Sequence, residues 1–168
     1  MLLAVILCGL ILGISGIVLW ILKFKRTMHS ESVIYGISMV LCIIIMIVSW
    51  CMNMGWYRFI LIFFAVPVIH AVGFAIVNGI VLSKLPYSGK LKVYTILSYV
   101  TYLLTYICFP DGGDIPTKYV FFGLIKNDIV AEVFGVISLI SLVAHIVFVV
   151  LQIIEFRRIV PPAFDRDE

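Results

Sequence analysis

Two histidines set deep in apolar stretches, His70 and His145, are the residues of this chain best suited to chemistry. An imidazole titrates near neutral pH, and its neutral form is a good ligand for iron and other metals. Ionisable groups so far inside an apolar run face a bundle interior and are functional candidates by default. Three roles fit them. The expected one is hydrogen bonding between helices, ahead of a proton relay in a transport path and of bis-histidine haem ligation. At about 1.5 Å per residue, His70 lies about 16 Å and His145 about 24 Å below the outer ends of their runs, a mismatch of about 8 Å. That mismatch disfavours haem, and no cofactor is expected.

Other polar groups accompany the histidines. Asn78 lies two turns inward from His70, and Pro67 one turn outward. Proline removes a helical hydrogen bond, so a kink is expected there, with a carbonyl freed near position 63. Ser138, Ser141, His145 and Gln152 follow one another at steps of three, four and seven, which puts them on one helix face; Gly135 extends that face outward. Tyr94, Ser98, Thr101 and Thr105 form a second stripe at helical spacing. Lipid offers such groups no partner, so they are expected to face other helices, bound water or a cavity.

Nearer the outer surface, Asp111-Gly112-Gly113-Asp114 lies between Pro110 and Pro116. Paired carboxylates around a diglycine suit a hard cation such as calcium, but the EF-hand spacing is missing and Asp and Gly are ordinary turn residues. A tight turn is expected, and no metal. Glu132 lies one turn into the last apolar run, within reach of Lys118, Lys126 or Arg58. Of the four cysteines, Cys8 and Cys42 are inside runs. Cys51 and Cys108 fall at the outer ends of theirs, where an oxidising compartment would allow a disulfide between them.

The elements that must position these groups follow from composition. The chain has 168 residues, 64% hydrophobic and 12% charged, with a mean hydropathy of +1.22. A soluble domain carries roughly 25% charged residues. The apolar residues form five runs, at about 2–22, 33–50, 59–82, 93–109 and 129–154, and long uncharged runs read as membrane spans. The expectation is an all-α, polytopic transmembrane bundle of five helices forming one domain over 1–168. Within the longest loop, Tyr119 to Ile125 is too short to span and is expected to lie along the outer surface or to dip into the interface. No basic n-region precedes the first run and no small-residue cleavage site follows it, so it is expected to stay in the mature protein. Its Gly9 and Gly13 form a weak GxxxG signal.

Lys and Arg set the orientation. Lys23, Lys25, Arg26, Lys84, Lys90, Lys92, Arg157, Arg158 and Arg166 fall on one side, against Arg58, Lys118 and Lys126 on the other. Cytoplasmic loops hold the excess, which places the N-terminus outside and the C-terminus in the cytoplasm. The formal charge of +3 is a topology signal, and no nucleic-acid partner is expected. Trp50, Trp56 and Tyr57 cluster at an outer boundary, as interfacial aromatics do.

No GxSxG, HExxH, phosphate-cradling loop or Rossmann fingerprint is present. The expected role is therefore non-enzymatic recognition within a bacterial inner membrane, with the lipid bilayer and another membrane protein as partners. An immunity-type protein against a membrane-targeted toxin fits, as does an accessory subunit of a membrane complex. The alternative is a small transporter or proton-linked carrier using the histidines.

Overall fold

The computed structural model describes residues 30–53, 55–112 and 118–160. The first apolar run, with Cys8 and the GxxxG, lies outside the described residues, as does Asp114. The described residues are mainly helical: α1 (Ser30–Met52), α2 (Trp56–Phe63), α3 (Val66–Val81), a 3-10 turn (Leu82–Tyr87), α4 (Gly89–Ile107) and α5 (Asp128–Ile159). A two-stranded hairpin, β1 (Tyr119–Val120) and β2 (Ile125–Lys126), precedes α5. Among the described residues, two helices, α1 and α5, are long and apolar enough to cross a membrane; α2 and α3 pass the same test only as a pair, bent by 65°.

α1 shows why burial here is not a matter of hydrophobic against polar. Met39, Ile43, Met46 and Trp50 face the core at steps of three and four, while Ile34, Ile37, Leu41, Ile44 and Val48 are exposed and equally apolar. A helix that is hydrophobic all round belongs in a large core or in a bilayer. The core-facing side of α1 meets Ala71 and Phe74 of α3 and Tyr99, Tyr102 and Tyr106 of α4.

The run over 59–82 is not one straight span. It breaks at Phe64 and Ala65, where Ala65 takes the left-handed conformation with φ 54° and ψ 18°. Pro67 sits in the first turn of α3, where its missing N–H costs nothing. The proline thus starts a new helix; it does not kink an old one.

α4 and α5 form the most extensive helix pair. Ser88 caps α4 by accepting from Leu91 N at 3.2 Å, and Asn127 caps α5 by accepting from Val130 N at 3.1 Å. Asp128 in the first turn of α5 and Arg157 and Arg158 in its last complement the helix dipole. With 32 residues, α5 is about 48 Å long, well beyond a hydrocarbon core of about 30 Å. Its first turns rise past the end of α4, and the hairpin packs there. Val120 is fully buried, and the Phe121 ring meets Phe134 edge-on at 4.6 Å. The segment from Tyr119 to Ile125 is therefore a hairpin held against α5, with Phe121, Phe122 and Gly123 all at positive φ in its turn.

Candidate functional site

The buried residues of α5 are Ala131, Ser138, Ser141, His145 and Gln152, so its polar face is its inner face. Opposite it, α4 buries Thr95, Ser98, Thr101 and Thr105; Tyr94 is only half-buried, and Thr95 takes its place in the stripe. Three of these hydroxyls bond back into their own helix: Thr95 to Leu91 O, Thr101 to Leu97 O and Thr105 to Thr101 O. Such back-bonding lets threonine sit inside an apolar bundle. Contacts between the helices then form at three heights.

At the outer height, Ser138 Oγ donates to Thr105 O at 2.7 Å. Ser141 is buried one turn further in. Gly135, just above, faces Pro110, whose Cγ would be 3.2 Å from a Cβ at that position.

At the middle height the two histidines meet. Their ring centroids are 4.9 Å apart in an edge-on contact, although the run lengths place them at different depths. The mismatch arose from counting both depths from a common outer level, whereas the first turns of α5 stand above the end of α4. His145 Nδ1 lies 3.0 Å from Ser98 O; a carbonyl only accepts, so that nitrogen carries the proton and Nε2 the lone pair. His70 Nδ1 lies 2.6 Å from the Tyr106 hydroxyl. Tyr102 completes the cluster, 5.1 Å from His70 and 5.5 Å from His145, with Phe74 stacked on it at 4.1 Å. His70 Nε2 and the Tyr102 hydroxyl are buried without a hydrogen-bond partner. The two rings stand in direct contact, with no gap for a macrocycle between them.

At the inner height, Gln152 Nε2 donates to Asn78 Oδ1 and to Thr95 Oγ1, both at 2.9 Å, and Asn78 Nδ2 donates to Phe74 O at 2.8 Å. All three side chains are fully buried. This ties α3, α4 and α5 together.

The outer candidates separate from this seam. Asp111 is fully buried and caps α2: its carboxylate accepts from Gly55 N at 2.7 Å, Tyr57 N at 3.2 Å and Arg58 N at 3.3 Å. It serves as a helix cap, where the sequence suggested a turn or a cation ligand. Glu132 is exposed and pairs with Lys118 at 3.2 Å, while Arg58 turns inward. Cys51 and Cys108 are free thiols, Cys51 exposed and Cys108 buried. The disulfide expected between them does not form in this structure, because one projects out of the bundle and the other into it. Among the described residues, no group of three or more His, Cys, Asp or Glu is placed to hold a metal ion.

Arg58 is the functional-looking residue that spacing missed. Its guanidinium donates to Ser49 O and Ser49 Oγ of α1 and to Tyr106 O and Phe109 O at the end of α4. It also lies 5.3 Å from the Trp50 ring and 5.7 Å from the Phe109 ring. One cation thus satisfies the terminal carbonyls of two helices, the position the helix dipole favours. Its sequence signal was a lone basic residue among the aromatics at the outer boundary.

No protein-family model, no curated protein and no solved structure matches this chain.

Proposed function

We propose that this chain is a five-span integral membrane protein of a bacterial inner membrane, N-terminus outside and C-terminus cytoplasmic, which acts without catalysis by recognising another membrane protein. The observation that carries this reading is the division of its surfaces. Ser138, His145 and Gln152 all bond to α3 or α4 inside the chain, while the exposed faces of α1, α3 and α5 are apolar. A bundle closed on itself meets lipid or a partner through those outer faces. An immunity-type protein and an accessory subunit of a membrane complex are the two forms of this role. The membrane topology is supported by the nine-to-three division of Lys and Arg. Reporter fusions after Lys90 and Glu168 should read as cytoplasmic and one after Asn53 as external; an external signal at Lys90 overturns the topology.

A second reading, a proton-linked carrier, is favoured by the contact of His70 with His145 and by Tyr106 on the far side of His70. Purification in mild detergent, followed by reconstitution with a pH-sensitive dye inside the vesicles, separates the two. Recognition is expected to give a stoichiometric protein partner in the purified material and no proton flux from the chain alone. Flux that His70→Gln or His145→Gln abolishes would replace recognition by the carrier.

A further inference from the structure

α2 has an unusual distribution of burial. Trp56, Tyr57, Phe59, Ile60, Phe63 and the adjoining Phe64 are each about half exposed or more, and Arg58 is fully buried. At about 100° per residue, the six fall within an arc of about 160°, centred opposite Arg58. Two edge-on ring pairs, Trp56 with Phe59 and Phe63 with Phe64, make that face a continuous aromatic surface. Its orientation is fixed at both ends, by the Asp111 cap and the Arg58 contacts at the start and by the left-handed Ala65 at the finish.

The axis of α2 is inclined by 65° to that of α3. Over its length of about 12 Å it therefore advances only about 5 Å along the direction of α3. α3 and the 3-10 turn that follows are together about 36 Å long, enough to cross a hydrocarbon core of about 30 Å without help from α2. Val66, Ile69 and Val72 of α3 are exposed and apolar as well. Trp, Tyr and Phe at one level are the side chains that favour the boundary between headgroups and acyl chains.

We infer that α2 is an in-plane anchor, seated with its aromatic face in the headgroup–acyl boundary of the outer leaflet, and that α3 with the 3-10 turn after it makes the third crossing without α2. The inference rests on the membrane reading above and replaces the straight span over 59–82.

Single-tryptophan variants in phosphatidylcholine vesicles test it. With the other tryptophans changed to Phe, Trp56 and the substitutions Ile60→Trp, Phe63→Trp and Phe64→Trp report depth along α2, and Ile76→Trp reports depth on α3. Quenching is read with lipids brominated either high or low on the acyl chain. The four α2 positions should share one shallow depth, quenched more by the high label, and Ile76→Trp should be quenched more by the low one. Depth increasing steadily from 56 to 64 would show that α2 continues the crossing. No quenching at 60, 63 and 64 beside a deeply quenched Ile76→Trp would show that protein covers the aromatic face; either result overturns the inference and leaves the membrane reading standing. An unquenched Ile76→Trp overturns both. Because Trp50→Phe removes a buried ring, a parallel set carries nitroxides at positions 60, 63, 64 and 76 after replacement of the native cysteines. Accessibility to oxygen against a water-soluble nickel chelate gives the same depths with Trp50 in place.

Discussion

Arg58 and Asp111 stand 53 residues apart in the chain and meet as a buried ion pair, Nε to Oδ2 3.8 Å, with neither side chain exposed. Around this pair three helix ends converge, the C-termini of α1 and α4 on the guanidinium and the N-terminus of α2 on the carboxylate, which also accepts from Gly112 N. Gly55 is required at this junction, since a Cβ there would collide with Gly112 O and the Asp111 carboxylate.

Removing one member of the pair leaves the other charge buried and uncompensated, which typically costs about 3–5 kcal/mol. Arg58→Met and Asp111→Ala are each expected to lose about that much, and the double variant less than their sum because the two residues share one network. Unfolding in mixed micelles, run as a double-mutant cycle, measures it. Additive losses would mean that the two residues act independently.

The elbow between α2 and α3 carries backbone strain at one residue. A left-handed conformation costs a residue with a Cβ roughly 1–2 kcal/mol, and the greater freedom of glycine in the unfolded chain offsets roughly 0.4–1 kcal/mol of any relief. Ala65→Gly is therefore expected to stabilise the protein by about 0.5–1 kcal/mol, and Ala65→Val to destabilise it. The same unfolding assay applies. A loss of stability in Ala65→Gly would contradict the strained elbow.

Periodicity made the inner face of α5 legible, because Ser138, Ser141, His145 and Gln152 repeat at helical steps within an otherwise apolar run. What was hidden depends on distance along the chain or on a single dihedral angle. Nothing near Arg58 in sequence points to Asp111. Nothing about an alanine marks a left-handed residue, and Pro67 indicated the region of the break while the break itself lies two residues before it. The contact of His70 with His145 was obscured for a third reason. Depth counted along a run presumes level helix ends, and the first turns of α5 stand above the end of α4, as the bond from Ser138 to Thr105 near the α4 terminus shows.

The cysteines differ in exposure, and this has a direct readout. Cys51 is exposed, and Cys42 and Cys108 are buried. In the folded protein in detergent, a maleimide should label Cys51 quickly, and Cys42 and Cys108 only after denaturation. Denaturation without reductant should suffice for all three, since none is bridged in this structure. Intact mass after each step counts the additions. Failure of Cys51 and Cys108 to label until a reductant is added would restore the disulfide.

The final prediction concerns the two imidazoles. Each holds an oxygen through Nδ1, His70 on Tyr106 and His145 on Ser98 O, and the rings touch at 4.9 Å. Glutamine keeps a donor and an acceptor at similar reach but cannot titrate. If the pair only ties α3, α4 and α5 together, His70→Gln and His145→Gln should fold and insert. Each should lose about 0.6 kcal/mol, the average for interhelical hydrogen bonds in membranes. Because the rings are in contact, the double variant should depart from additivity. Tyr106→Phe removes the hydroxyl outright and should lose at least as much as His70→Gln, which keeps a partner for it. The decisive comparison sets stability beside partner retention in detergent. Well-folded variants that keep the partner place the histidines in the scaffold. A well-folded His145→Gln protein that loses a proton flux present in the unmodified chain would instead make the pair the working part of a carrier.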